Sequence, residues 1–147
     1  MHLEKAIELA TKAHEGQKDK GGEPYILHPL RVMMEMDTDE ERIVAVLHDA
    51  LEDGSKAVRD YIRQNLRQEL LVDLESLSRN SDYHPYSYTY LDFIKKIAIY
   101  NYPIAKKVKI ADIKDNLRED RRKNISVDLV DRYERALAIL EGKSEAT

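Results

Sequence analysis

Apolar positions recur along this chain every three or four residues, with polar stretches between them. Leu3, Ile7, Ala10 and His14 fall on one face, and Gly16 stops the pattern, which predicts a first helix from about Leu3 to Glu15. The loop QKDKGGEPYIL follows. A second helix starts near His28, because Pro29 suits a first helical turn, and continues through LRVMMEM. Thr38, with Glu41 three residues on, reads as a capping box and opens a third helix over roughly Asp39 to Leu51. Beyond Gly54 the spacing predicts helices of about Ser55 to Asn65 and Gln68 to Leu77. Thr89 and Asp92 cap another that runs through Ala98. Pro103 opens YPIAKKVKIADIKDNL, and SVDLVDRYERALAILEG supplies the last helix.

No glycine occurs between Gly54 and Gly142, and only Pro85 and Pro103 interrupt that stretch. Strands and tight turns need more breakers, so the expected class is all-α, one bundle of about seven helices. The 147 residues suit a single domain over 1–142 with a short tail at 143–147. No apolar run is long enough to span a membrane, and the charged, amphipathic start does not read as a signal peptide. The chain has no cysteine, which excludes disulfide and thiolate chemistry and is compatible with a cytoplasmic location. Net charge is -4, with both signs closely mixed, so nucleic acid is not an expected partner. The densest basic cluster, Arg118 to Asn124, reads as a solvated helix end.

Chemistry concentrates around VLHDALED. His48 and Asp49 close an apolar run, Ile43 to Leu47, that should face the core. Another histidine, His28, begins the preceding helix, and Asp112 interrupts the apolar run VKIADIKDNL. Buried carboxylates and imidazoles need partners, and one divalent metal would satisfy all four groups. Two nitrogen and two oxygen ligands suit an octahedral first-row ion such as manganese or iron, with positions left for water. Such an ion makes water a nucleophile near neutral pH. A bare His-Asp dipeptide is more often a hydrogen-bonded pair; its setting is what favours the metal.

Glu52 and Asp53 lie one turn beyond His48 and Asp49. They are spaced to orient a water in the outer shell or to exchange a proton, and otherwise read as acids at a helix end. A helix C-terminus disfavours acids, which a nearby cation would offset. Asn116, one turn after Asp112, could bind a ribose hydroxyl or phosphate oxygen, or could cap or cross-link helices.

AHEGQKDKGGEPYILHPLRV, IVAVLHDALED and VKIADIKDN, in that order, resemble the HD-domain hydrolases of the RelA/SpoT type, in particular the small stand-alone alarmone hydrolases. The resemblance runs from about Ile7 to Leu140. It implies a helical HD domain in which His28, His48, Asp49 and Asp112 hold one manganese ion, another divalent first-row ion being an alternative. By the same resemblance, Glu52 and Asp53 are the water-orienting and acid/base residues, and Asn116 contacts the nucleotide. Lys20 falls near the phosphates, and Tyr133 is similar to a tyrosine lining the substrate pocket. The implied activity is hydrolysis of (p)ppGpp at the 3′ position with release of pyrophosphate, part of the stringent response. Alarmone synthesis is not expected, because the synthetase and regulatory domains of long RelA/SpoT proteins are missing. Asp19 departs from the pattern: alarmone hydrolases of the family carry an arginine there, packed over the nucleobase.

Two other readings follow from the same residues: an HD phosphohydrolase of another nucleotide (a nucleoside monophosphate or cyclic nucleotide), and a non-catalytic nucleotide sensor. The expected partner is a small nucleotide, with no nucleic acid or membrane and homo-oligomerisation left open. The tyrosines of SDYHPYSYTY (Tyr83, Tyr86, Tyr88 and Tyr90) could stack on a base, although Tyr90 and Phe93 share helical spacing suited to a core. His84 reads as an exposed bystander, and His14 as packing between helices.

Overall fold

The computed structural model describes residues 1–79, 88–100 and 102–143. Among these there is no strand, only an isolated antiparallel bridge between Lys18 and Pro24. Residues 83–86 of the tyrosine-rich stretch, His84 included, lie outside the described residues.

The helices follow the apolar spacing. α1 (Leu3–Ala13), α2 (Leu27–Met34) and α3 (Asp39–Leu47) form the first layer, with α3 packed against both of the others. Every residue from Ile43 to Leu47 is buried, so α3 runs through the core rather than over it. His14 is buried beside α1's end, as its spacing suggests. The predicted capping box is present: Thr38 Oγ1 accepts from Glu41 N, and Glu41 returns a carboxylate to Thr38 N.

The expected continuous helix from Asp39 to Leu51 is broken at His48–Asp49, and α4 (Ala50–Asp53) starts afresh after the break. The Ala45 carbonyl would accept from Asp49 N in an unbroken helix. It accepts instead from the His48 backbone N–H at 3.3 Å and from His48 Nδ1 at 2.6 Å. Gly54 ends α4 where space is short: a Cβ there would lie 2.5 Å from the Ala50 carbonyl oxygen.

α5 (Lys56–Asn65) and α6 (Gln68–Ser76) then lead to α7 (Tyr90–Ile99), whose N-terminus carries the predicted Thr89–Asp92 box. α8 (Pro103–Asn116) lies against α2, α3, α6 and α10 (Val127–Leu140). Its start is pinned from α6, where buried Asp73 accepts the Ala105 N–H at 2.9 Å. The basic cluster forms a short helix of its own, α9 (Glu119–Arg122). α4 and α9, four residues each, are the segments beyond the simple spacing pattern. No helix among the described residues is long and apolar enough to cross a membrane.

Candidate metal centre and substrate cavity

α2, the α3–α4 break and α8 each deliver one part of a buried cluster. His28 enters from the first turn of α2, His48 and Asp49 from the break, and Asp112 from the middle of α8. His28 Nε2 is 2.9 Å from Asp112 Oδ1, and His48 Nε2 is 3.1 Å from Asp49 Oδ2 and 3.5 Å from Asp112 Oδ1. Ligand atoms of His28, His48 and Asp49 all lie within 4.8 Å of one another, a grouping able to hold a metal ion.

Hydrogen bonds behind the cluster set which atoms face inward. His48 Nδ1 must carry a proton, since at 2.6 Å it donates to the Ala45 carbonyl. His48 Nε2 is then left buried with no hydrogen-bond partner among the described residues, facing two carboxylate oxygens. His28 repeats the arrangement: Nδ1 is 2.6 Å from Asp115 Oδ2, which turns Nε2 inward. Converging imidazole and carboxylate lone pairs need a cation between them, and the nitrogen–oxygen set fits a divalent ion.

The charges respond accordingly. Burial alone would lower the His48 pKa, but the Asp49 and Asp112 carboxylates outweigh it and raise it well above the usual histidine value. Burial opposes ionisation of Asp112, yet Lys109 and His48 hold its carboxyl well below the ordinary range. Lys109, three residues earlier on α8, places Nζ 2.7 Å from Asp112 Oδ2. The Tyr25 hydroxyl donates to Asp49 Oδ2 at 2.5 Å, and burial followed by that carboxylate pushes its pKa far up.

Asp115 is the residue that spacing reasoning passed over. It is buried, and its carboxylate gathers His28 Nδ1, Arg31 Nε at 2.7 Å and Arg121 Nη1 at 3.3 Å. Asp115 lies three residues after Asp112 and so near the same helix face, a position that a solvated charge would fill equally well. Lys109, Tyr25, Arg31 and Arg121 were likewise not singled out.

Lys20, Asn116 and Tyr133 come together. They line one cavity of about 250 Å³ with Asp19, Tyr25, Arg121 and Asn124. Through Tyr25, this cavity adjoins Asp49. The loop forming its rim is fixed by Asp19, whose Oδ1 accepts the N–H groups of Gly21 and Glu23, each at 2.9 Å. Asp19 thus closes the loop, a task for a short carboxylate that arginine cannot perform. Gly22, at φ 86°, supplies the left-handed turn.

Glu52 and Asp53 lie just past the cluster on α4; their backbone N–H groups donate to the Asp49 carbonyl at 3.2 and 3.0 Å, while among the described residues their carboxylates make no hydrogen bond to the four side chains. Glu52 Oε1 accepts the Arg79 backbone N–H at 2.6 Å, and Asp53 Oδ2 lies 3.4 Å from Gln17 Nε2 and 3.6 Å from His14 Nδ1.

No protein-family model matches the chain. Individual relatives do. It is 31% identical over 142 residues to a guanosine-3′,5′-bis(diphosphate) 3′-pyrophosphohydrolase of Aquifex aeolicus, covering 89% of this chain and 20% of that protein. It is also 31% identical over 153 residues to the GTP pyrophosphokinase rsh of Brucella melitensis, covering 89% of this chain and 19% of that protein. A Borreliella burgdorferi protein with the same name as the Aquifex one is 32% identical over 84 residues, 54% of this chain and 12% of that protein. The chain therefore spans about a fifth of the length of the curated relatives that match most of it. With its ordered motifs on an all-helical frame and these relatives along most of its length, the chain fits a hydrolase-like domain of the RelA/SpoT family.

Proposed function

We propose that this domain is a metal-dependent nucleotide phosphohydrolase that removes pyrophosphate from the 3′ position of (p)ppGpp. The observation that carries the reading is His48 Nε2: buried, without a hydrogen-bond partner among the described residues, and aimed at the carboxylates of Asp49 and Asp112. The name of the Aquifex relative supplies the substrate class. In this reading His28, His48, Asp49 and Asp112 are the ligands and manganese is the preferred ion. A divalent ion held there supplies Lewis acidity toward a phosphoryl oxygen and an activated water.

The chain's own residues do the rest. Asp115 and the Ala45 carbonyl fix the two imidazoles with Nε2 inward. Lys109 occupies Asp112 Oδ2, so Oδ1 is the atom presented. Hydrogen bonds at Glu52 and Asp53 engage Oε1 and Oδ2, which leaves one carboxylate oxygen of each to orient the incoming water and manage its proton. Water oxygen bonds to the 3′ phosphorus, the bond from phosphorus to the ribose 3′ oxygen breaks, and that oxygen takes up a proton. Lys20, Arg121, Asn116 and Tyr133 line the adjoining space for the nucleotide, which carries several negative charges. Asp19 is accounted for by the loop it closes and so does not argue for another substrate. The proposed setting is the cytoplasm, in keeping with a nucleotide substrate.

Two variants test the assignment. Asp49→Ala should lose bound manganese, read as metal content after dialysis; unchanged content contradicts the ligand set. Glu52→Gln should keep its metal and lose roughly 10²- to 10⁴-fold in kcat. Full turnover in that variant removes Glu52 from the chemistry.

A further inference from the structure

Next to Tyr133, cations gather around one aromatic ring, that of Tyr90. The Arg132 guanidinium lies 4.6 Å from the centre of the Tyr90 ring, and Arg79 and Lys109 each lie 5.7 Å from it. Lys109 is neutralised by Asp112. Arg79 and Arg132 have no carboxylate within ion-pair distance among the described residues, whereas Arg67 and Arg118 each have two and Arg122 has one. The cluster thus lacks an anion among the described residues, and both arginines are exposed, so one from solution can reach them.

The Tyr90 hydroxyl points to the same deficiency. It is buried and has no hydrogen-bond partner among the described residues, which a protein interior seldom tolerates. Its surroundings connect the cluster to the site: the Tyr90 ring is 6.1 Å from that of Tyr133, which lines the nucleotide cavity, and Lys109 bonds to Asp112. The two arginines and this hydroxyl are all donors. Guanidinium forks match phosphate oxygens, and a phenol O–H donates a further bond.

We infer that Arg79, Arg132 and the Tyr90 hydroxyl form a phosphate subsite that takes one diphosphate group of the substrate. The inference rests on the nucleotide reading above and extends it to residues outside the metal centre and the cavity. Two groups of one substrate carry this chemistry: the pyrophosphate that leaves and the 5′-diphosphate that stays on the nucleoside.

Calorimetric titration of the manganese-loaded protein with inorganic pyrophosphate, and separately with GDP, distinguishes them. The Arg79→Gln/Arg132→Gln double variant should lose roughly 10- to 100-fold in affinity for at least one of the two, and Tyr90→Phe a few-fold, with manganese affinity unchanged. Loss confined to pyrophosphate assigns the subsite to the leaving group, and loss confined to GDP assigns it to the retained diphosphate. Loss of both means that the subsite accepts either. Equal affinities in all three proteins, or no binding of either ligand to the wild-type chain, overturn the inference. Hydrolysis of ppGpp, assayed on the same wild-type sample, separates the two failures: without it the alarmone reading falls, while the titrations still decide the subsite.

Discussion

Asp115 decides how His28 is presented, because its Oδ2 accepts from Nδ1 at 2.6 Å while Arg31 and Arg121 hold the carboxylate in place. A carboxylate behind a metal-binding imidazole fixes the tautomer and raises the basicity of the inward nitrogen. Asp115→Asn should therefore weaken manganese binding by roughly 10- to 100-fold with little change in helix content, as read by calorimetry and circular dichroism. An unchanged affinity would show that His28 is oriented without it. The four ligand candidates were legible in the sequence because each is an imidazole or carboxylate set against apolar neighbours. Asp115 and Lys109 were not, since positions flanking Asp112 on a helix serve equally well as solvated charges. Their burial is created by partners remote in sequence, Arg31 on α2 and the Tyr90 and Phe93 rings on α7.

Among the elements, α8 matters most, because it carries Lys109, Asp112, Asp115 and Asn116 on one rigid segment. Asp73 anchors its start by accepting the Ala105 N–H inside the core. Asp73→Ala leaves that donor buried and unpaired, and should cost about 1–3 kcal/mol in denaturant unfolding. A loss under about 0.5 kcal/mol, the range of ordinary surface changes, would contradict the anchoring role. Helix starts were readable where a side chain announced them, at Thr38, Thr89 and Pro103. The break between α3 and α4 was not, because apolar spacing continues across it. At the interruption the His48 imidazole and backbone N–H both take the Ala45 carbonyl, a local arrangement invisible to periodicity.

Across the whole molecule, the candidate metal centre joins α2, the α3–α4 break and α8, so an ion there would act as a cross-link through the core. Manganese at about 100 times its Kd should add about 2.7 kcal/mol and raise Tm by roughly 5–10 °C, and chelation should reverse the shift. At a fixed manganese concentration the gain should grow with pH. His48 has a raised pKa in the metal-free fold, so its proton stabilises that fold fully below the ordinary histidine pKa. That contribution is lost as pH rises through the folded value, and the metal has less proton to displace. A Tm gain independent of pH between about 6 and 9 would contradict the role given to His48. The all-α class was legible in the glycine-free stretch and helical spacing, whereas the meeting of Lys20, Asn116 and Tyr133 in one cavity depends on tertiary packing. The most direct test of the central claim is product analysis of ppGpp incubated with the manganese-loaded protein, with Asp49→Ala as the blank. The predicted result is GDP and pyrophosphate in equal amounts, absent from the blank; intact ppGpp in the presence of bound manganese would contradict it.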